Sequence, residues 1–314
     1  MVSYFTIDAT GEVTNFQKEI SNMMHGFGDN PNPNAATVLL VENIVLQQLR
    51  SMLQEAFNYS NMRGGKAISN YDVIYLMRKN TLKLKRLYEY QIKLDKIDKN
   101  RSALTTDTDP IMPGIMLEDE KDPTVKKRRT HIAVIKELDE SDEVSEIKLD
   151  VIDYLRKVRA AKITESMTFE KYEAYHKARC SSFRSGAGLC RGFNKLEKWI
   201  NPNKDLIITV QALEVLCFLA YETVAEIVDA VFLIRQDAKK KSGDPFSKFE
   251  GGHFCNPVSL NNAVYIKSGY EGVPAITVAE VREALRRHFN PRVGMNGLFY
   301  RNMSNDLPVR YIAI

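Results

Sequence analysis

The chain has 314 residues, 44% of them hydrophobic and 27% charged, with 44 basic and 40 acidic side chains and a formal net charge of +4. That length permits one large or two small cores, and the near balance of charge excludes a surface built as a whole for nucleic acid. Four cysteines, Cys180, Cys190, Cys217 and Cys255, have no CxxC spacing, which points to free thiols in a reducing compartment.

The opening MVSYFTIDATGEV has neither a basic n-region nor an apolar h-region, so no signal peptide is expected. A short helix is predicted over 14–26, with Phe16, Ile20, Met23 and Met24 on one stripe. GFGDNPNPN stops it. A long helix follows over 35–62, its apolar residues recurring at intervals of three and four, and Gly64-Gly65 ends it. KAIS is one extended step, long enough for a single β-bridge. Ser69 then opens a helix with Asp72 at its third position, as in a capping box, and the pattern predicts that this helix continues through Leu84 and Leu87.

From 95 to 163 the composition changes. KKRR at Lys126, Lys127, Arg128 and Arg129 is basic, residues 137–146 hold six acids, and sustained apolar periodicity is missing. A largely disordered charged linker with one or two short helices is expected there. Helices are then predicted over 168–182 and 193–200, the second carrying the lone Trp199, and a second long helix over 206–237. Glu214, Glu222, Glu226 and Asp229 interrupt that last segment, so it is expected to be buried in protein, not in a bilayer. A Gly/Pro/Asn-rich expanded loop, 239–274, leads to AIT and a short helix over 277–288 with Glu280 at its third position.

One order therefore occurs twice: short helix, long helix, short strand, capped short helix. AISNYDVIYLMRK and AITVAEVREALRR are the two strand-to-helix junctions. A 28-residue helix spans about 42 Å at 1.5 Å per residue, too long for its two short neighbours to cover. Two copies in one chain can clasp head to tail, with each short strand pairing across the clasp.

That arrangement is the histone-fold handshake. RGGKAISNYDVIYLMRKN is similar to the loop, strand and third helix of a histone fold. FLAYETVAEIVDAVFLIRQD, GDPF and ITVAEVREALRRHF resemble the C-terminal half of the suppressor-of-Ty-three family, the tandem histone-fold subunits of the SAGA transcription co-activator. FGD, LVENIVLQQL and MRGGKAISNYDVIYLMRKN resemble its N-terminal half, which is also similar to the thirteenth TBP-associated factor of TFIID. The resemblance implies an all-α protein of two histone folds paired within one chain. The expected domains are 14–94, the linker 95–163, the second fold 164–290 and a tail 291–314. It also implies a loop cation paired with a third-helix acid: Arg63 or Lys66 with Asp72, and for Glu280 a cation among Lys239 to Lys241 or Arg282. In function it implies a nuclear, non-enzymatic subunit that helps bring TATA-binding protein (TBP) to promoters beside other SAGA subunits. No cofactor, small-molecule ligand or membrane is implied.

The residues themselves are consistent with the absence of catalysis: there is no HExxH and no P-loop lysine, and RSGAGLCRG lacks the strand and spacing of a dinucleotide fingerprint. Plotted at 100° per residue from Glu214, Asp229 falls at about 60°, Glu222 at about 80° and Glu226 at about 120°. This acidic arc points away from Val210, Leu213, Ala220, Val224, Ile227 and Val231. It is either a solvated helix face or an electrostatic contact for a basic surface such as that of TBP, with Glu222, inside LAYETVA, the foremost candidate. KKRR is either a nuclear import signal or a neutralising contact for the acidic run. The rival function is a histone-like DNA-associating module or a TFIID-type factor, with Arg63, Lys66, Lys79, Lys83, Lys85 and Arg86 forming a basic edge. The modest net charge makes any DNA contact at most indirect.

Overall fold

The computed structural model describes residues 6–7, 13–105, 123–139, 141–165, 167–185, 192–239, 273–289 and 311–314. Most of the expected 239–274 loop and of the 291–314 tail, together with Cys190 and Cys255, lie outside the described residues. Two-residue strands β1 (Thr6–Ile7) and β2 (Val13–Thr14) pair antiparallel. The helices are α1 (Gln17–Phe27), α2 (Ala35–Met62), α3 (Asn70–Leu76), α4 (Thr81–Thr105), α5 (Pro123–Leu138), α6 (Glu143–Glu146), α7 (Val151–Glu165), α8 (Phe169–Arg179), α9 (Asn194–Ile200), α10 (Val210–Lys239) and α11 (Val278–Phe289).

The chain divides into two compact units, and each takes pieces from both sequence repeats. The first holds residues 1–51, 149–205 and 219–314. Its buried apolar residues include Phe16, Ile20, Met23 and Met24, Val41, Val45 and Leu49 of α2, and Val224, Val228 and Val231 of α10. Phe16, Phe183 and Trp199 form an aromatic cluster in it, with ring centroids 4.9–6.0 Å apart. The second unit holds residues 52–148 and 206–218. Its buried apolar residues include Met52, Leu53 and Ala56 of α2, Val73, Ile74 and Met77, Leu84 and Leu87, and Ala212, Leu213, Val215 and Leu216 of α10. Helix α10 is buried on most of its circumference between Ala212 and Val231, with Glu222, Thr223 and Asp229 among the buried residues.

Gly28 closes α1 at φ 120°, where its N–H donates to the His25 carbonyl at 3.0 Å. A Cβ there would lie 3.1 Å from Arg159 Cδ, so both the backbone and the space select glycine.

One expectation changes and another narrows. The helix opened by Ser69 does not continue through Leu84. It stops at Met77, and Asn80 starts α4 by accepting the Lys83 N–H on its side-chain oxygen at 3.2 Å. Of the expected linker 95–163, residues 106–122 lie outside the described residues, and the described part is largely helical. Helix α4 runs on to Thr105, and α5, α6 and α7 follow. In the second unit α5 packs on α3 and α4, and α6 on α4. In the first, α7 packs on α1. Among their described side chains α5, α6 and α7 bury few apolar residues, which leaves little apolar periodicity: Ile135 of α5 beside His131, Val144 of α6, and Ala160 and Ile163 of α7 beside Arg159.

Candidate functional site

The acidic residues of α10 do not form a solvated stripe. In the first unit, Arg156 of α7 reaches three of them. Its Nε donates to Asp229 Oδ2 at 2.6 Å, Nη1 to both Glu222 carboxylate oxygens at 3.2 Å, and Nη2 to Glu226 Oε1 at 3.2 Å. Arg159, one helical turn on, donates to Asp229 Oδ1 at 2.8 Å and to the Phe27 carbonyl at 2.9 Å. Glu222 and Asp229 are buried, at 5% and 7% exposure, while the Glu226 side chain keeps 22%. Burial works against the charge of Arg156, but Glu222, Asp229 and Glu226 together outweigh it and hold the guanidinium above its ordinary value. Helical phase places these acids on one arc; it does not show the arginines that cover them.

Glu214 is not part of this cluster. It belongs to the second unit, where its Oε2 lies 3.4 Å from Nε2 of the buried His131, without the alignment of a hydrogen bond. The other ring nitrogen of His131 is 3.2 Å from Asn70 Nδ2, which ties α5 to the start of α3. Lys126, Lys127, Arg128 and Arg129 lie in α5, but their side chains fall outside the described residues. The expected basic edge is not one exposed surface: Lys83 and Arg86 are buried.

Each strand-to-helix junction carries an arginine–acid pair. In the second unit, Arg63 Nη2 lies 2.9 and 2.8 Å from the two Asp72 oxygens, and its Nε is 3.2 Å from Oδ1. Asp72 also accepts the Ser69 N–H at 2.8 Å, closing the capping box. Lys66 is exposed and does not take this place. In the first unit, the cation of Glu280 is Arg235, at 2.6 and 3.0 Å, and not Arg282. Of the other cations expected there, Lys240 and Lys241 and the side chain of Lys239 lie outside the described residues. Arg235 also donates to the Pro274 and Ala275 carbonyls. Burial works against the Glu280 charge, but Arg235 and Thr277 outweigh it and hold its carboxyl below the ordinary value. The sequence does carry a signal for Arg235: like Arg63, it stands at the end of the long helix, ahead of the loop.

The backbone around each junction is satisfied differently. In the second unit, Ile68 and Ile208 form a parallel bridge, with the Ile68 N–H on the Ile207 carbonyl at 2.9 Å and the Thr209 N–H on the Ile68 carbonyl at 3.0 Å. In the first, Ile276 is held by side chains. Its N–H donates to Asp29 Oδ1 at 2.9 Å, and its carbonyl accepts the Thr37 hydroxyl at 2.8 Å. Burial raises the Asp29 carboxyl above its ordinary value, opposed by the N–H groups of Asn30 and Ile276. Among the described residues no group of His, Cys, Asp and Glu could hold a metal ion, and no helix is long and apolar enough to cross a membrane.

Comparison with known proteins fits this organisation. Residues 14–105 match the family described as transcription initiation factor IID, 18 kD subunit. The SAGA complex subunit Spt3 of Drosophila melanogaster is 29% identical, over 94% of this chain and 73% of its own length. The SAGA complex subunit Spt3 of Schizosaccharomyces pombe is 24% identical, over 88% of this chain and 91% of its own length. The transcription initiation factor TFIID subunit 13 of Arabidopsis thaliana is 36% identical over 30% of this chain and 73% of its own length.

Proposed function

Because the chain belongs to the Spt3 family, we propose that it is a non-enzymatic subunit of the SAGA transcription co-activator that acts in the nucleus and helps bring TBP to promoters. Its two repeats act as histone folds that pair head to tail within the chain. The observation that carries this is the crossing of the repeats: Ile68 bridges to Ile208, and Ile276 is held by the Asp29 and Thr37 side chains, so each junction is held by residues of the other repeat. A chain that completes its own pair has no need of a second histone-fold subunit, which separates it from a single-fold TFIID factor.

TBP is engaged at the rim of the acidic cluster. Glu226 supplies the accessible carboxylate, while Glu222 and Asp229 act from behind by holding Arg156 and, through it, α7. Lys126 to Arg129 serve as the import signal. A DNA-associating role is the weaker alternative, because the cations proposed for it are partly buried.

Two experiments test this. Mass spectrometry of the affinity-purified native chain should recover other SAGA subunits; recovery of TFIID subunits alone, or of chromatin alone, overturns the assignment. In a pulldown with purified TBP, Glu226→Gln, which removes the charge but keeps an oxygen to accept from Arg156, should weaken capture, with the unfolding temperature measured alongside to separate lost contact from lost fold. Undiminished TBP capture would remove the acidic rim from the proposal.

A further inference from the structure

The end of α2, the loop after it and α3 carry an arrangement that the proposed function does not use. Tyr59 of α2 meets Tyr75 of α3 edge-on, with ring centroids 4.8 Å apart. Tyr71 lies nearly parallel to Tyr75, at 6.2 Å and 15°. The Arg78 guanidinium sits 3.9 Å from the Tyr75 centroid and 5.8 Å from that of Tyr59, and Arg63 sits 5.5 Å from Tyr71. All three rings are half-buried, and Met62 at the end of α2 is 83% exposed.

The charges on this patch are unequal. Arg63 is neutralised by Asp72. Arg78 donates to the Tyr75 carbonyl at 2.9 Å but meets no carboxylate among the described residues. Lys66 and Lys79 are exposed and likewise meet none among them. The patch is therefore cationic as well as aromatic. Tyrosine and arginine are among the side chains that most often carry binding energy at protein interfaces. Here the rings and the Arg78 plane already brace one another, so little rotamer freedom remains to be lost on binding. Duplex DNA asks for a longer run of accessible cations, and on this edge Lys83 and Arg86 are buried.

We propose that this tyrosine–arginine patch of the second unit is a docking surface for an acidic segment of another protein. A carboxylate of that segment meets the open side of Arg78, and an adjoining apolar side chain lies against Tyr71 and Tyr75.

The test uses the full-length chain and a fluorescein-labelled peptide of alternating glutamate and phenylalanine, read by anisotropy. Arg78→Ala should weaken binding by about tenfold, the loss of one interface hot spot. Arg78→Lys keeps the charge but not the stacked plane, and should weaken it by about threefold, so it serves if the alanine variant unfolds. Lys136→Ala, which removes an exposed cation elsewhere in the second unit, should change nothing. Equal loss in the Lys136 and Arg78 variants, equal binding of the peptide with lysine in place of glutamate, or tighter and steeply salt-dependent binding of duplex DNA would each overturn the proposal.

Discussion

The two strand-to-helix junctions use the same pair of charges and different supports. At the first, the arginine and its acid are nine residues apart, the loop between them is short, and backbone meets backbone at Ile68. At the second they are 45 residues apart, and side chains do the holding: Arg235 binds Glu280 and two carbonyls, while Asp29 and Thr37 secure Ile276. The cation stands on the long-helix side of the loop in both. An insertion after it can therefore lengthen without disturbing the pair, because the loop-closure penalty grows only slowly with length.

If the first unit depends more heavily on side-chain charge, substitutions should separate the two. The largest effect is expected at Arg156. Replacement by Met leaves Glu222, Glu226 and Asp229 facing one another with little solvent, at about 3–5 kcal/mol in denaturant unfolding. Next comes the junction pair itself. Arg235→Ala should cost about 2–3 kcal/mol, and Arg63→Ala, whose side chain is 47% exposed, about 1 kcal/mol. Equal losses would erase the distinction. Thr37→Val removes the hydroxyl that serves the Ile276 carbonyl and should cost about 1 kcal/mol, an effect with no counterpart at Ile68.

The smallest effect is on pH dependence. Glu280 is held below its ordinary value of 4.5, so its contribution is complete above that value and is lost as pH falls through the folded-state value. The urea midpoint should decline on acidification, and Glu280→Gln should flatten that decline without affecting the rest of the profile.

Much of this is legible in the sequence. The limits of α2 follow from its apolar spacing and the glycines after it, and both capped junctions follow from a hydroxyl residue with an acid three positions on. What is not legible is the cover on the acids. Helical phase puts Glu222, Glu226 and Asp229 on one arc, but Arg156 lies 66–73 residues upstream, in a stretch whose polar composition resembles a linker. Helices held by charge and by a few buried residues leave no apolar period to read. Arg235 is hidden for a different reason: the insertion offers a run of lysines of its own, while the arginine that pairs with Glu280 precedes it on the long helix.

The bridge between Ile68 and Ile208 also sets a clock. At a synthesis rate of about 5–20 residues per second, Ile208 is made about 7–28 s after Ile68. During that interval Val73, Ile74 and Met77 lack the α10 residues that complete their unit. For those seconds the unit is without Ala212, Leu213, Val215 and Leu216, and its apolar surface calls for shielding during synthesis.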